Sequence, residues 1–127
     1  MARVLCIEDE TEMSQLMGMI LSRHGFDTRL ALNGREGIHM LQEFVPDVIL
    51  LDLMMPDMDG WEVYQHLKSD SSTAAIPVVV VTARSQASEK TAALKVAQVD
   101  DYLVKPFNPD QLVETVARVL RKHDTHS

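Results

Sequence analysis

The sequence predicts a single α/β domain built on a parallel five-stranded sheet, and three observations lead to it. Short β-rich runs alternate with stretches of helical spacing along the whole chain. The third β-rich run, residues 48–51, is apolar without alternation, as a strand covered on both faces must be. Acidic, hydroxyl and basic residues fall directly after these runs, where open α/β sheets build their sites.

The β-rich runs span residues 4–7, 28–32, 48–51, 78–81 and 102–104. After the first, Met13, Leu16, Met17, Ile20 and Leu21 recur at i, i+3, i+4, i+7 and i+8, which is one face of a helix. Asn33 and Glu36 have the spacing of a capping box and open the second helix. Five helix-like runs in all follow the five strands. The last carries the stripe Leu112, Val113, Val116, Val119 and Leu120. It is opened by Asn108-Pro109-Asp110-Gln111: an N-cap, a proline at the first helical position, and a residue able to reach back. Crossovers between parallel strands are right-handed, so helices are expected on both faces of the sheet.

Composition bounds the function. A length of 127 residues suits one core, and no repeat or composition shift divides it. The expected domain is 1–122, followed by a polar tail, 123–127, that should fray. An apolar fraction of 46% is too high for a disordered chain. The longest apolar runs have four residues, as at 48–51 and 78–81, whereas a membrane span needs about 20. Residues 1–7 lead straight into Glu8-Asp9-Glu10, which is too short an apolar stretch for a signal peptide. Twelve basic against nineteen acidic residues give a net charge of −7, so a nucleic-acid-binding surface is not expected. Cys6 is the single cysteine, which excludes an intrachain disulfide and fits a reducing cytoplasm. Its place in an apolar run reads as a small buried hydrophobe.

The polar residues then fall into place. Glu8 and Asp9 follow the first strand, Asp52 the third, Thr82 ends the fourth, and Lys105 closes the fifth. In a flavodoxin-like (βα)5 fold with strand order 2-1-3-4-5, the first and third strands are neighbours across the topological switch point. Glu8, Asp9 and Asp52 would share one crevice there, with Thr82 and Lys105 along its rim. Two unit charges about 4 Å apart cost roughly 4 kcal/mol at an effective dielectric near 20. Either one carboxyl is protonated or a cation sits among them. An oxygen-only donor set suits Mg²⁺ or Mn²⁺. With a lysine and a hydroxyl nearby, these parts fit phosphoryl transfer, in which the central carboxylate can itself be the nucleophile.

At these positions the chain resembles the receiver domain of two-component response regulators, and is chemotaxis-regulator-like. Four stretches carry the resemblance: Val4-Leu5-Cys6-Ile7-Glu8-Asp9-Glu10, the run from Pro46 through Asp52-Leu53-Met54-Met55-Pro56-Asp57-Met58-Asp59 to Gly60, Val81-Thr82-Ala83, and Asp101-Tyr102-Leu103-Val104-Lys105-Pro106-Phe107. The resemblance implies that Asp52 is the phosphoacceptor in a phosphorelay. It implies Asp9 and Asp52 as metal ligands, Glu8 acting through water, and the backbone carbonyl of Met54 as the third protein ligand. Lys105 would pair with a phosphoryl oxygen. Thr82 would donate its hydroxyl, and Tyr102 would be the partner switch residue. The Lys105–Pro106 bond is expected to be cis, and Gly60 to be structural, after turn-forming Asp57 and Asp59. Bulky Met54 and Arg84 flank the path of attacking water and should prolong the phosphorylated state.

The implied function is a switch charged by a sensor histidine kinase or a histidine phosphotransfer protein, with Mg²⁺ bound, that alters the face formed by the fourth helix, fifth strand and fifth helix. Such a domain is regulatory rather than an enzyme in its own right, cytoplasmic, and a monomer or weak dimer, with no direct contact to nucleic acid or membrane. A small phosphatase with an aspartyl-phosphate intermediate would place a second Asp two residues after the nucleophile, where Met54 stands. The alternative is a phosphorylation-independent binding module, which usually lacks one of the key groups. Two departures from the family's pattern matter. Gln98-Val99 replaces a frequent Gly-Ala, and Gln111 and Thr115 replace the charged residues of one common dimer interface, so that dimer is not carried over. His24, His39, His66, His123 and His126 share no ligand spacing and read as surface groups. Trp61 reads as a surface or half-buried helix residue, and Met13 and Met17 as core filling.

Overall fold

The computed structural model describes residues 2–55, 58–83 and 99–126. Its elements are β1 (Arg3–Ile7), α1 (Thr11–Arg23), β2 (Asp27–Ala31), α2 (Gly34–Met40), β3 (Val48–Asp52), α3 (Gly60–Ser69), β4 (Val78–Ala83), β5 (Asp101–Lys105) and α4 (Pro109–His126). The fourth of the five expected helices, together with Asp57, Arg84 and Gln98, lies outside the described residues. The helix labelled α4 is therefore the fifth of the sequence pattern.

The five strands form one parallel sheet in the order β2-β1-β3-β4-β5, as expected. The two apolar layers follow from the period-2 alternation of each strand. Leu5, Ile7, Ile49, Leu51, Val78, Val80 and Tyr102 face one side, where Val63, Tyr64 and Leu67 of α3 cover them. Val4, Cys6, Val48, Leu50, Val79, Val81 and Leu103 face the other, under Met17, Ile20 and Leu21 of α1 and Leu112, Val116 and Val119 of α4. Residues of β1, β3 and β4 are apolar on both faces because both are covered. The edge strand β2 is only partly buried, with Arg29 exposed.

Both expected helix caps form. Asn33 Oδ1 accepts from the Glu36 amide at 2.8 Å. Asn108 Oδ1 accepts from the Gln111 amide while the Asn108 amide donates to Gln111 Oε1, each at 2.8 Å. The peptide between Lys105 and Pro106 is cis. Helix α4 runs through His126, so the helical backbone continues into the residues read from sequence as a tail.

Two local readings need correction. Leu16 is 44% exposed, and the buried face of α1 is centred on Ser14, Met17, Gly18 and Leu21 instead. Gly18 draws the helix close to β2: a Cβ there would lie 3.2 Å from both methyl carbons of Leu30. The second strand starts and ends one residue earlier than expected, leaving Leu32 outside it and exposed. Ala31 pairs with Ile7, the last residue of β1, and its carbonyl takes the Glu8 amide at 3.0 Å before the chain turns into the Asn33 cap.

Candidate functional site

Three strands deliver the site at their carboxyl ends. Ile7 pairs with Leu51 in register, so Glu8, just past β1, and Asp52, at the end of β3, emerge side by side. Both have the pleat parity of Cys6 and Leu50, and Lys105 at the end of β5 has that of Leu103, so all three start from the same sheet face. One carboxylate oxygen from each of Glu8, Asp9 and Asp52 lies within 4.8 Å of the others. Glu8 and Asp52 are buried, Asp52 only 4% exposed, and Asp9 is half-buried.

Among the described residues, few groups offset this negative charge. Lys105 Nζ donates to Glu8 Oε1 at 2.6 Å and stands 3.7 Å from Asp52 Oδ2. The Glu10 amide donates to Glu8 Oε2 at 3.1 Å, and the Met54 amide to Asp52 Oδ1 at 3.1 Å. Burial, and after it the charge of Glu8, push the Asp52 carboxyl from 3.8 up to about 7. The Met54 N–H and the Lys105 charge pull the other way without prevailing. Burial draws the Lys105 ammonium down, but its bond to Glu8 and the charges of Asp52, Glu8 and Glu10 outweigh that and hold it above its ordinary value. A crowded, all-oxygen acidic cluster whose central carboxyl resists ionisation suits a hard divalent cation, which would replace the missing positive charge.

The loop after Asp52 is held by a close backbone approach. Gly60 opens α3, and its amide donates to the Leu53 carbonyl at 3.1 Å. A Cβ at Gly60 would lie 2.5 Å from Leu53 Cα and 2.7 Å from the Asp52 carbonyl oxygen. Asp59 is the N-cap, accepting from the Trp61 amide at 2.9 Å. Trp61 is half-buried, with its ring edge-to-face against Tyr64 at 6.0 Å. The Met54 side chain is 63% exposed beside the cluster.

Thr82 is fully buried near the end of β4, one residue beyond Val81, which pairs with Asp52. It has the pleat parity of Val80, which pairs with Tyr102. Thr82 and the buried Tyr102 therefore share a sheet face, offset by two residues, opposite in parity to Glu8, Asp52 and Lys105. Cys6 is completely buried. Burial first and Glu8 second push its thiol from 9.0 up to about 12, which fits the small hydrophobe expected. Gln111 and Thr115 serve α4 itself: Gln111 in its capping box, and Thr115 through a hydroxyl donated to the Gln111 carbonyl at 2.8 Å. The sequence assigns no role to Asp100, whose carboxylate takes the Val78 amide at 2.8 Å. No sequence motif marks that contact.

Among the described residues no helix is long and apolar enough to cross a membrane. Comparison with known proteins agrees with this architecture. A family model for the response regulator receiver domain matches residues 4–117. The DNA-binding dual master transcriptional regulator RpaA of Synechocystis sp. is 38% identical over 124 residues, which are 98% of this chain and 51% of that protein. The phosphate regulon transcriptional regulatory protein PhoB of Escherichia coli is 37% identical over 120 residues, 94% of this chain and 52% of that one. The chain thus spans about half the length of the curated relatives it matches. The structure of the chemotaxis protein CheY4 of Vibrio cholerae superposes with a TM-score of 0.86 at 32% identity, covering 94% of this chain and 98% of that one.

Proposed function

The chain belongs to the response regulator receiver domain family, and from that premise we propose that it is a phosphorylation-controlled switch with Asp52 as its acceptor. The observation that carries the reading is the cluster of buried Glu8 and Asp52 with half-buried Asp9, and Lys105 Nζ 3.7 Å from Asp52. A partner sensor histidine kinase or histidine phosphotransfer protein presents a phosphohistidine. An Asp52 oxygen attacks phosphorus, and the P–N bond breaks as the new P–O bond forms. Asp9, Asp52 and the Met54 carbonyl would hold Mg²⁺ or Mn²⁺, with Glu8 acting through water. When bound, the ion neutralises charge on the phosphoryl oxygens.

Lys105 leaves Glu8 for a phosphoryl oxygen, and Thr82 donates its hydroxyl to the same group. Because Thr82 and Tyr102 share a sheet face, movement of the threonine is relayed to the tyrosine. The consequence is a shift of population between two arrangements of the face around β5, α4 and the helix expected before β5. Met54, and Arg84 in the segment outside the described residues, shield the acyl phosphate from water and prolong it. The domain acts in the cytoplasm as a monomer or weak dimer, without touching nucleic acid itself. The DNA binding named for the relatives would belong to a second domain.

Incubation with Mg²⁺ and a small-molecule phosphodonor tests the reading by intact mass. Wild type should gain one phosphoryl group and Asp52→Asn none. No gain on wild type would favour a phosphorylation-independent binding module, and an undiminished gain on the variant would move the acceptor elsewhere.

A further inference from the structure

At the end of the sheet opposite the acidic crevice, Asp100 joins several elements just before β5. Its Oδ2 accepts from the Val78 amide at the start of β4, at 2.8 Å, and its Oδ1 lies 3.3 Å from Nε2 of His123 in α4. Its charge also reaches α3. Burial lowers the Lys68 ammonium and Asp100 partly offsets it, while burial raises the Tyr64 phenol and Asp100 adds to it. Lys68 is engaged elsewhere, donating to the carbonyls of Ala74 and Ile76 at 2.9 and 3.2 Å. Five residues before His123, Arg118 grips Asp101 with two bonds, from Nε at 3.0 Å and Nη2 at 2.8 Å.

We propose that His123 and Asp100 form a pH-sensitive latch on the last turns of α4, held more tightly with imidazolium than with the neutral ring. The two clasps differ in kind. A guanidinium is charged at every accessible pH, so Arg118 holds α4 permanently. Histidine is the residue type whose charge changes between pH 5 and 8. An imidazolium would give this contact a charge-assisted hydrogen bond to the Asp100 carboxylate, stronger than one from a neutral ring. Arg118, Arg121 and Lys122 of α4 line the same groove as Asp100 and Asp101. Lys68 and Tyr64 face Asp100 from α3, and Val78 of β4 meets it through its amide and its carbonyl, which accepts from the Asp100 amide at 3.0 Å. The side chains of His123 and Asp100 are 42% and 27% exposed, so solvent protons reach the pair. The latch is independent of phosphoryl chemistry at Asp52, yet Asp100 lies two residues before Tyr102 on the same segment.

Amide hydrogen exchange tests the latch in wild type, His123→Ala and Asp100→Asn, at pH 5.5 and 8.0, corrected for intrinsic rates. Asparagine keeps an acceptor for the Val78 amide, and His123→Ala alters a half-buried helix position, so both variants should fold. In wild type, protection of residues 119–123 should be about two- to fivefold higher at pH 5.5, the range of a partly exposed ion pair. Both variants should lose that dependence, while earlier α4 amides remain unchanged. Equal protection at the two pH values in wild type, or the same dependence in His123→Ala, would overturn the proposal.

Discussion

Lys105 makes its shortest ion-pair contact with Glu8, at 2.6 Å, while Asp52 stands 3.7 Å from the same ammonium. Glu8 therefore has two effects on Asp52. It draws away the lysine that would stabilise an ionised Asp52, and it adds a negative charge beside it. The Glu8→Gln substitution removes that negative charge. In metal-free protein it should lower the Asp52 titration midpoint clearly below about 7, while burial keeps it above the usual carboxylate range. Carboxyl carbon NMR across the titration measures this directly. A midpoint unchanged in the variant would show that burial alone sets it.

The same shift makes stability depend on pH. The unfolded chain releases the Asp52 proton near 3.8, whereas the folded protein retains it to about 7. Between those values the folded state binds more protons, so this group's contribution to stability declines as pH rises through the window. Asp52→Asn removes the effect. In urea unfolding without divalent ions, the variant's advantage over wild type should be about 1–3 kcal/mol greater at pH 8 than at pH 4.5. Added Mg²⁺ should narrow the gap at pH 8 by stabilising wild type.

Gly60 and Gly25 provide a controlled comparison. Gly25 adopts a φ of +88° with open space where a side-chain methyl would go, so Gly25→Ala should cost about 1 kcal/mol through backbone strain alone. At Gly60 the methyl would meet the backbone of Asp52 and Leu53 at 2.7 and 2.5 Å. Gly60→Ala should therefore cost about 1–3 kcal/mol and also slow phosphorylation of Asp52, because the acceptor's own peptide must move. Denaturant unfolding together with the labelling rate separates the two. Equal labelling rates in both variants would contradict the positioning role of Gly60.

Cys6 should be inert in the folded protein. Its complete burial and a thiol pushed to about 12 leave almost no accessible thiolate at neutral pH. Alkylation at pH 7.5 should follow global unfolding, rising steeply through the urea transition. Rapid modification of native protein would contradict the packing of β1.

Much of this was readable from sequence because a parallel sheet places the residues after its strands at one edge. Glu8, Asp52 and Lys105 needed only strand ends and strand order to be brought together, and the structure joins them as expected. The Asn33 and Asn108 caps were readable because their chemistry spans three residues. The exposed Leu16 was not: the roll of α1 depends on how closely Gly18 meets Leu30 on β2, which helical period does not encode. Nor could spacing reveal that Gly60 abuts the Asp52 carbonyl, or that Asp100 reaches His123, 23 residues away. Those contacts depend on how neighbouring elements pack in space, which spacing along the chain does not encode.

The central claim is that Asp52 receives the phosphoryl group, and the most direct test locates the modified residue. After incubation with Mg²⁺ and a small phosphodonor, borohydride reduces an aspartyl phosphate to homoserine, which peptide mass spectrometry assigns to one position. Homoserine is expected at position 52 alone. Homoserine at another aspartate, or none despite stoichiometric labelling, would contradict the claim.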